Sequence, residues 1–474
     1  MADIVNRQIR PFIMNSYICI EEDNIASTQK LLTTCGGNLG NSCPSYALLK
    51  VLFGKPVKVP HIVSVYQYDF SKGEKDIEFI NRDCTHFILF IQDFIVPVDD
   101  IRNMWLPYKK IMEFISKIKI PILLIGIGLN YINADFMNTV GRYYNDFYKK
   151  LGQPLVDFLK FMGDHAISIG VRGKSTAHCL DKLGISKNVE IIGCPSYYDN
   201  PSRIIMKKPF SLNLRIIHTS NHYLGLHKKH NERVVLQDER EIIDTVLFGK
   251  NVNQLCAHYF SSFVKKQFVC FSNMEAWEQF LSQNDFAMGT RVHGAIMALR
   301  AGVPSVVFNR DLRAQEMTEY LHIPHYPIPA AGDLEKEPPL EEIYETCDYE
   351  KMNSNYSMLY DKYLRFLERN GLVPITPDKN EAKCLEEIKQ PTLSLYAHYD
   401  FNTVVCDAAV GFSEQLAEQS TQLSEILNSR TWRYANKITS VFRKVFPKNS
   451  KRELIIKIPW KCMRKIISTL KRSG

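Results

Sequence analysis

Short apolar runs alternate with longer stretches of helical periodicity through most of the chain, and that alternation predicts an α/β fold. The clearest case is D-F-A-M-G-T-R-V-H-G-A-I-M-A-L-R-A-G-V-P-S-V-V-F at 285–308. It reads as a buried strand at 286–288, a Gly289-Thr290 turn, a helix at 291–300 and a second buried strand at 304–308. Gly302 suits the residue after the helix, and Pro304 prevents its continuation. Ile296, Leu299 and Val303 keep helical spacing, which predicts a face turned to a sheet.

The same grammar recurs upstream. H-F-I-L-F-I-Q-D-F-I-V-P predicts a strand with Asp93 at its C-terminal exit, where open parallel sheets bind ligands. P-I-L-L-I-G-I-G-L-N predicts another, with helices at 99–118 and 155–162. A-I-S-I-G-V-R-G-K-S-T predicts a strand, a Val171-Arg172-Gly173 turn and a helix ending near Gly184, with Ser175 or Thr176 offering first-turn polar contacts. V-E-I-I-G-C-P-S adds a strand and a turn holding Cys194 as a buried small residue. Earlier, K-L-L-T-T-C at 30–35 reads as a strand, G-G-N-L-G-N-S as a loop and P-S-Y-A-L-L-K-V-L-F-G as a helix. That loop lacks both G-x-G-x-x-G and a Lys-Ser/Thr ending, so its glycines fit a tight turn and a substrate lining equally well. Asn38 and Asn41 are its candidate binding side chains.

A second unit begins near Pro209, with strands at 212–218 and 267–271. Its helices are expected at 238–247, 274–282, 312–321 and 338–367, and Arg313 and Glu316 lie one turn apart on the third of these. The domain reading is 1–205 and 206–373 as two Rossmann-like domains facing a cleft, then 374–474 as a connector and helical tail.

Charge sharpens the picture of the tail. Residues 430–474 hold 14 Lys and Arg against the single acid Glu453, a balance of +13, so the rest of the chain carries −5 of the total +8. The basic character is local, and a nucleic-acid footprint over the whole protein is excluded. On a helical wheel Lys457, Lys461, Arg464, Lys465 and Lys471 face one way, and Cys462, Met463, Ile466, Ile467 and Leu470 the other. That is the pattern of an interfacial anchor on anionic lipid, and also of a terminal helix packed on protein. No run of 18 apolar residues exists, the first residues lack a signal-peptide pattern, and the 12 cysteines form no C-x-x-C pair. The expectation is a cytoplasmic protein, peripheral at most on the inner face of the plasma membrane, with reduced thiols and no zinc or iron–sulfur site.

Arg291 and His293 fall at the start of a helix, where unpaired N–H groups and the dipole favour an anion. An arginine and a histidine there predict a site for a small, doubly anionic molecule, with one group able to move a proton.

S-I-G-V-R-G around Arg172, I-G-C-P-S at 192–196, G-T-R-V-H-G at 289–294 and the following N-R-D-L-R-A-Q-E-M together resemble the polysaccharide pyruvyl transferase family, over about 31–324. The resemblance implies a glycosyltransferase-B-like fold and transfer of a pyruvyl group from phosphoenolpyruvate onto a sugar, forming a ketal. It implies an acceptor side in the first domain and a donor side in the second. Arg172 and Arg291 match donor-binding positions, as does His293, with Gly289 and Thr290 in the same loop. Where many members carry a glycine-rich turn after the third strand, this chain reads F-I-Q-D-F.

Two arginines, each able to grip an anion bidentately, suit a molecule carrying carboxylate and phosphate on adjacent atoms. His293 is the candidate acid and Asp93 the candidate base, with Asn38 and Asn41 on the acceptor side. Neither cofactor nor metal is called for: phosphoenolpyruvate is the donor substrate, and a sugar or lipid-linked glycan is the acceptor. The competing functions are a sugar-nucleotide glycosyltransferase and a non-catalytic glycan-assembly protein docked at the membrane, and L-N-S-R-T-W-R at 427–433 resembles tails of bacterial glycosyltransferases.

Overall fold

The computed structural model describes residues 9–17, 27–100, 103, 106–131, 146–220, 231–240, 242–244, 267–309, 311–327, 339–374, 417–422 and 424–425. Twelve strands form two six-stranded sheets in which every pairing is parallel. The first holds β1 (Pro11–Met14), β2 (His61–Ile62), β3 (His86–Phe90), β4 (Ile122–Ile127), β5 (Ser168–Val171) and β6 (Val189–Ile191), in the order β2-β1-β3-β4-β5-β6. The second holds β7 (Arg215–His218), β8 (Asn231–Leu236), β9 (Phe268–Cys270), β10 (Phe286–Gly289), β11 (Ser305–Asn309) and β12 (His325–Pro327), in the order β12-β11-β10-β7-β8-β9. Both sheets belong to one compact unit, and the helical residues 417–422 and 424–425 belong to another. Two Rossmann-like α/β units are thus what the alternating pattern produces.

The helices are α1 (Thr28–Thr34), α2 (Cys43–Phe53), α3 (Gly73–Asp83), α4 (Tyr108–Ile115), α5 (Gln153–His165), α6 (Lys174–Lys182), α7 (Met274–Ser282), α8 (Val292–Arg300), α9 (Leu312–Leu321), α10 (Leu340–Thr346) and α11 (Glu350–Arg369). Central strands β3 and β4 are buried along their whole length, as continuous apolar runs between two helical layers require. Phe87, Leu89, Leu124 and Ile169 meet Ile111, Phe114, Phe158 and Leu159 in one core cluster.

In each sheet the chain runs outward one way and then restarts on the other side of its first strand. The reversals lie between β1 and β3 and between β7 and β10, and such switch points are where open parallel sheets bind ligands. That rule locates the site before any side chain is considered.

Several sequence expectations give way. Residues 30–35 are not a strand: Ser27 caps α1 by accepting from the Lys30 N–H, and Leu31 and Leu32 turn inward at helical spacing. The strand of that unit is β1, in an N-terminal stretch too short and too mixed to read as one. The helix expected over 99–118 is interrupted at 106–107 and runs as Tyr108–Ile115, because Pro107 disfavours helical backbone in the residue before it; Asn103 is also helical, and 101, 102, 104 and 105 lie outside the described residues. The stretch 338–367 is two helices broken at Cys347–Tyr349. β8 was not foreseen, since N-E-R-V-V-L is half polar. The helices 274–282 and 312–321 have the expected bounds. Of the helix expected at 238–247, residues 240 and 242–244 are helical, while 241 and 245–247, like the basic segment 430–474, lie outside the described residues.

Although α11 follows the second sheet in sequence, it packs on the first. Its Tyr363 stacks on Tyr198 with ring centroids 4.6 Å apart, and the His86 ring nitrogen Nε2 hydrogen-bonds the Asn370 carbonyl at 2.9 Å. Among the described residues, no helix is long and apolar enough to cross a membrane.

Candidate functional site

The loops at the two switch points converge on a cavity of about 290 Å³. Its walls include Asn38, Asn41, Asp93, Arg172, Thr290, Arg291 and His293, so seven of the eight side chains singled out from the sequence meet in one place. Gly289 stands behind the wall. Its φ of +147° and the 2.5 Å that would separate a Cβ from Thr219 Oγ1 restrict the position to glycine, which lets β10 run close beside the β7 exit.

Arg172 leaves the end of β5 and is only 1% exposed. Its Nη2 donates to Gln92 Oε1 at 3.3 Å and lies 3.9 Å from Cys194 Sγ. Its buried Nε has no hydrogen-bond partner, and no carboxylate lies within ion-pair distance among the described residues. A buried, delocalised cation that faces a cavity with no carboxylate in ion-pair contact is a receptor for an anion.

Arg291, from the second sheet's side of the cavity lining, is the N-cap of α8 rather than part of its first turn, and no side chain caps that helix. The backbone N–H groups at its start therefore reinforce the arginine's pull on an anion. Asp238, just past β8, holds the Arg291 guanidinium at 2.5 Å and keeps it beside the cavity. The neighbouring Glu239 carboxyl is pushed up by burial and by Asp238, and accepts from the backbone N–H groups of Gln237 and Asp238.

His293 sits one residue inside α8 and is 8% exposed. Burial, then Arg172, then Arg313 push its pKa well below the ordinary histidine value, against a smaller upward pull from Asp93. The imidazole is therefore neutral at pH 7 in the free protein. Its Nε2 is 3.7 Å from Cys194 Sγ, which in turn lies 3.0 Å from Ser196 Oγ.

Asp93 accepts from Asn130 Nδ2 at 3.0 Å and pairs with Arg313 at 3.5 Å. Arg313 also lies 3.4 Å from Asp311, so it does not pair with Glu316 as the one-turn spacing allowed. Glu316 points the other way, toward Thr176 of the first unit. Asn38 Oδ1 accepts from the Gly40 N–H, and Asn41 Nδ2 donates to the Cys35 and Gly36 carbonyls. Both asparagines shape their loop with one polar end while lining the cavity.

The structure adds lining residues the sequence did not mark. Asn15 and Tyr17, at the exit of β1, hold φ values of +64° and +53°, which side-chain-bearing residues adopt only where surroundings enforce them. Asn15 spans two loops, donating to the Phe90 carbonyl at 2.9 Å and accepting from the Val65 N–H at 2.7 Å. Gln92 ties Arg172 to the glycine loop, since its Nε2 donates to the Asn41 carbonyl at 2.7 Å. The signal for both was an amide directly after an apolar run, the position at which Asp93 was noticed instead. Among the described residues, no three His, Cys, Asp or Glu side chains are grouped to hold a metal ion.

No curated protein matches the sequence. Among solved structures, HepE of Anabaena in complex with UDP and glucose is 10% identical, with 76% of this chain and 99% of that chain covered and a TM-score of 0.38. A UDP-N-acetylglucosamine 2-epimerase is 10% identical, with 77% and 97% covered and a TM-score of 0.38. The glycotransferase of kitacinnamycin is 11% identical, with 76% and 98% covered and a TM-score of 0.32. Likenesses this distant say nothing of substrate. The family model for polysaccharide pyruvyl transferase matches residues 38–311, from the glycine loop to the N-cap of α9, which is more than half of the chain. The chain therefore belongs to the polysaccharide pyruvyl transferase family of transferases.

Proposed function

We propose that this transferase moves the pyruvyl group of phosphoenolpyruvate onto two hydroxyls of one sugar in a cell-surface polysaccharide or its lipid-linked precursor. The observation that carries the reading is Arg172, a buried guanidinium on the cavity wall with no carboxylate partner among the described residues. The same cavity is lined by Arg291, at the uncapped start of α8. Two cationic walls suit a compact molecule with carboxylate and phosphate on neighbouring atoms. A volume of about 290 Å³ is at the lower end of small-molecule sites, which run from about 300 to 1,000 Å³.

In this mechanism a sugar hydroxyl oxygen attacks C2 of the donor while C3 takes a proton and becomes a methyl group. His293 delivers that proton, and Asp93 receives the one released by the hydroxyl. A second hydroxyl of the same sugar then bonds to C2 as the C2–O bond to phosphate breaks, closing the ketal. One hydroxyl proton ends on C3 and the other leaves with phosphate, so no oxidant or reductant enters. Arg172 and Arg291 hold the charge that builds on the departing phosphate.

The test is incubation of the protein with phosphoenolpyruvate and a panel of sugar and lipid-linked acceptors. Acceptor-dependent phosphate release with a pyruvyl ketal in the product supports the reading. Turnover with sugar nucleotides instead, in the absence of any phosphoenolpyruvate reaction, overturns it.

A further inference from the structure

Two helices begin beside the two arginines of the cavity, α6 after Arg172 and α8 at Arg291, and of these two only α8 has an open start among the described residues. α8 has no side-chain cap. α6, which follows Arg172, has none from its own sequence either, yet its first turn is filled from across the cleft. Glu316 of α9 accepts from the Thr176 N–H at 2.9 Å through Oε2 and from Thr176 Oγ1 at 2.6 Å through Oε1. The Thr176 hydroxyl also accepts from the Leu129 N–H at 3.1 Å, so the carboxylate is tied to the exit of β4 as well. Glu316 is 2% exposed and comes from the second Rossmann unit, 140 residues away in sequence.

The socket is built for this side chain. A Cβ on Gly173 would lie 2.6 Å from Glu316 Cγ, so the α6 N-cap position has room for the carboxylate only while it lacks a side chain of its own. From these contacts we infer that Glu316 is a positioning residue: it occupies the anion position at the start of α6, fixes the turn that carries Arg172, and reserves the start of α8 for the donor's anion. The inference rests on the donor reading proposed above for its catalytic consequence, while the occupancy of α6 is independent of it.

The same contacts explain why the site does not simply bind anions at both helix starts. An arginine beside an open N-terminus at α6 would be a second phosphate receptor. The carboxylate removes that competing mode. Burial pushes the Glu316 pKa to about 7, against downward pulls from the Thr176 contacts and from Arg172, and Cys179 is the other titratable group facing it. Protonation converts one oxygen into a donor and forfeits one of the two Thr176 contacts.

The experiment compares wild type with Glu316→Gln and Thr176→Val, each verified as folded by near-ultraviolet circular dichroism, in titrations with inorganic phosphate and in steady-state pyruvyl transfer. Removing a negative charge that acts on Arg172 favours any anion bound by that arginine. Phosphate affinity is therefore expected to rise severalfold in Glu316→Gln, and the KM for phosphoenolpyruvate to stay level or fall, while kcat drops tenfold or more. A merely structural glutamate would not raise anion binding while lowering kcat. Thr176→Val, which keeps the carboxylate, is expected to lower kcat without raising phosphate affinity. In the pH profile, any limb due to the donor's own phosphate is common to all three proteins, and the limb near 7 that disappears in Glu316→Gln belongs to the carboxylate. Unchanged phosphate affinity in Glu316→Gln overturns the inference, and so does a wild-type kcat. If the wild type does not turn over phosphoenolpyruvate, the donor reading falls, and the phosphate titrations still decide whether Glu316 holds the α6 position.

Discussion

Binding of phosphoenolpyruvate beside His293 is expected to draw a proton in from solution. In the free protein the imidazole is neutral, because burial and the nearby Arg172 and Arg313 hold its pKa well below the ordinary histidine value. A donor seated between Arg172 and Arg291 reverses both conditions. It offsets the arginine charges and sets negative charge next to the ring. A unit charge about 4 Å away, at an effective dielectric of about 20, contributes about 4 kcal/mol, or about three pK units. The shift is toward the protonated form, so the acid needed for protonating C3 is created by the substrate that needs it. The assay is calorimetric titration at pH 7.5 in two buffers of different ionisation enthalpy, with wild type and His293→Gln. The difference in apparent enthalpy should report uptake of close to one proton by wild type and much less by the variant. Protonation changes of the donor's phosphate enter both measurements alike. Equal proton uptake by the two proteins, or none in wild type, refutes the reasoning.

Other outcomes follow from the same geometry. Arg172→Lys keeps the charge but loses the planar fork, and its phosphoenolpyruvate affinity should fall at least tenfold with little change in the thermal midpoint. Gly173→Ala should destabilise the fold by about 1–3 kcal/mol, measured by urea unfolding, because its methyl group has to displace Glu316. Glu316 also makes a signed prediction for stability. Its pKa is raised from 4.5 to about 7, so the stability it contributes is fully present below 4.5 and is lost as the pH rises through 7. Relative to wild type, Glu316→Gln should gain up to about 3 kcal/mol across that interval, in denaturant midpoints measured from pH 5 to 8. Asp199→Ala should cost about 3–5 kcal/mol, since it leaves Arg203 buried with only the Tyr356 hydroxyl and the Tyr197 carbonyl as partners.

The parts of the fold legible in the sequence were those whose burial is complete. Strands β3, β4 and β10 are uninterrupted apolar runs because helices cover both faces, and α7 and α9 announce themselves through Asn273 and Asp311, whose side chains cap them. β1 was hidden because a four-residue strand between polar segments carries no period of its own, and its place in the sheet is set by β2 and β3 on either side. Residues 30–35 misled for a related reason: six residues with apolar and β-branched side chains fit strand and helix alike, and Ser27 decides between them.

The site was legible where chemistry sits at a turn. Arg172 stands directly after a strand, and Arg291 and His293 at the helix start that follows one, where reactive side chains have little structural reason to be. What the sequence could not supply was pairing across the cleft. Spacing on one helix suggested that Arg313 would meet Glu316, yet Arg313 meets Asp93 and Glu316 meets Thr176. Both partners come from the first Rossmann unit, and local periodicity holds no information about them.

The most direct test of the account is titration of phosphoenolpyruvate into the purified protein, with Arg172→Met and Arg291→Ala measured beside it. The account predicts saturable one-site binding by wild type that both substitutions reduce at least tenfold while the proteins stay folded. Wild-type binding that survives the loss of Arg172 would contradict the central claim, and so would the absence of binding by wild type both alone and with the acceptor panel present.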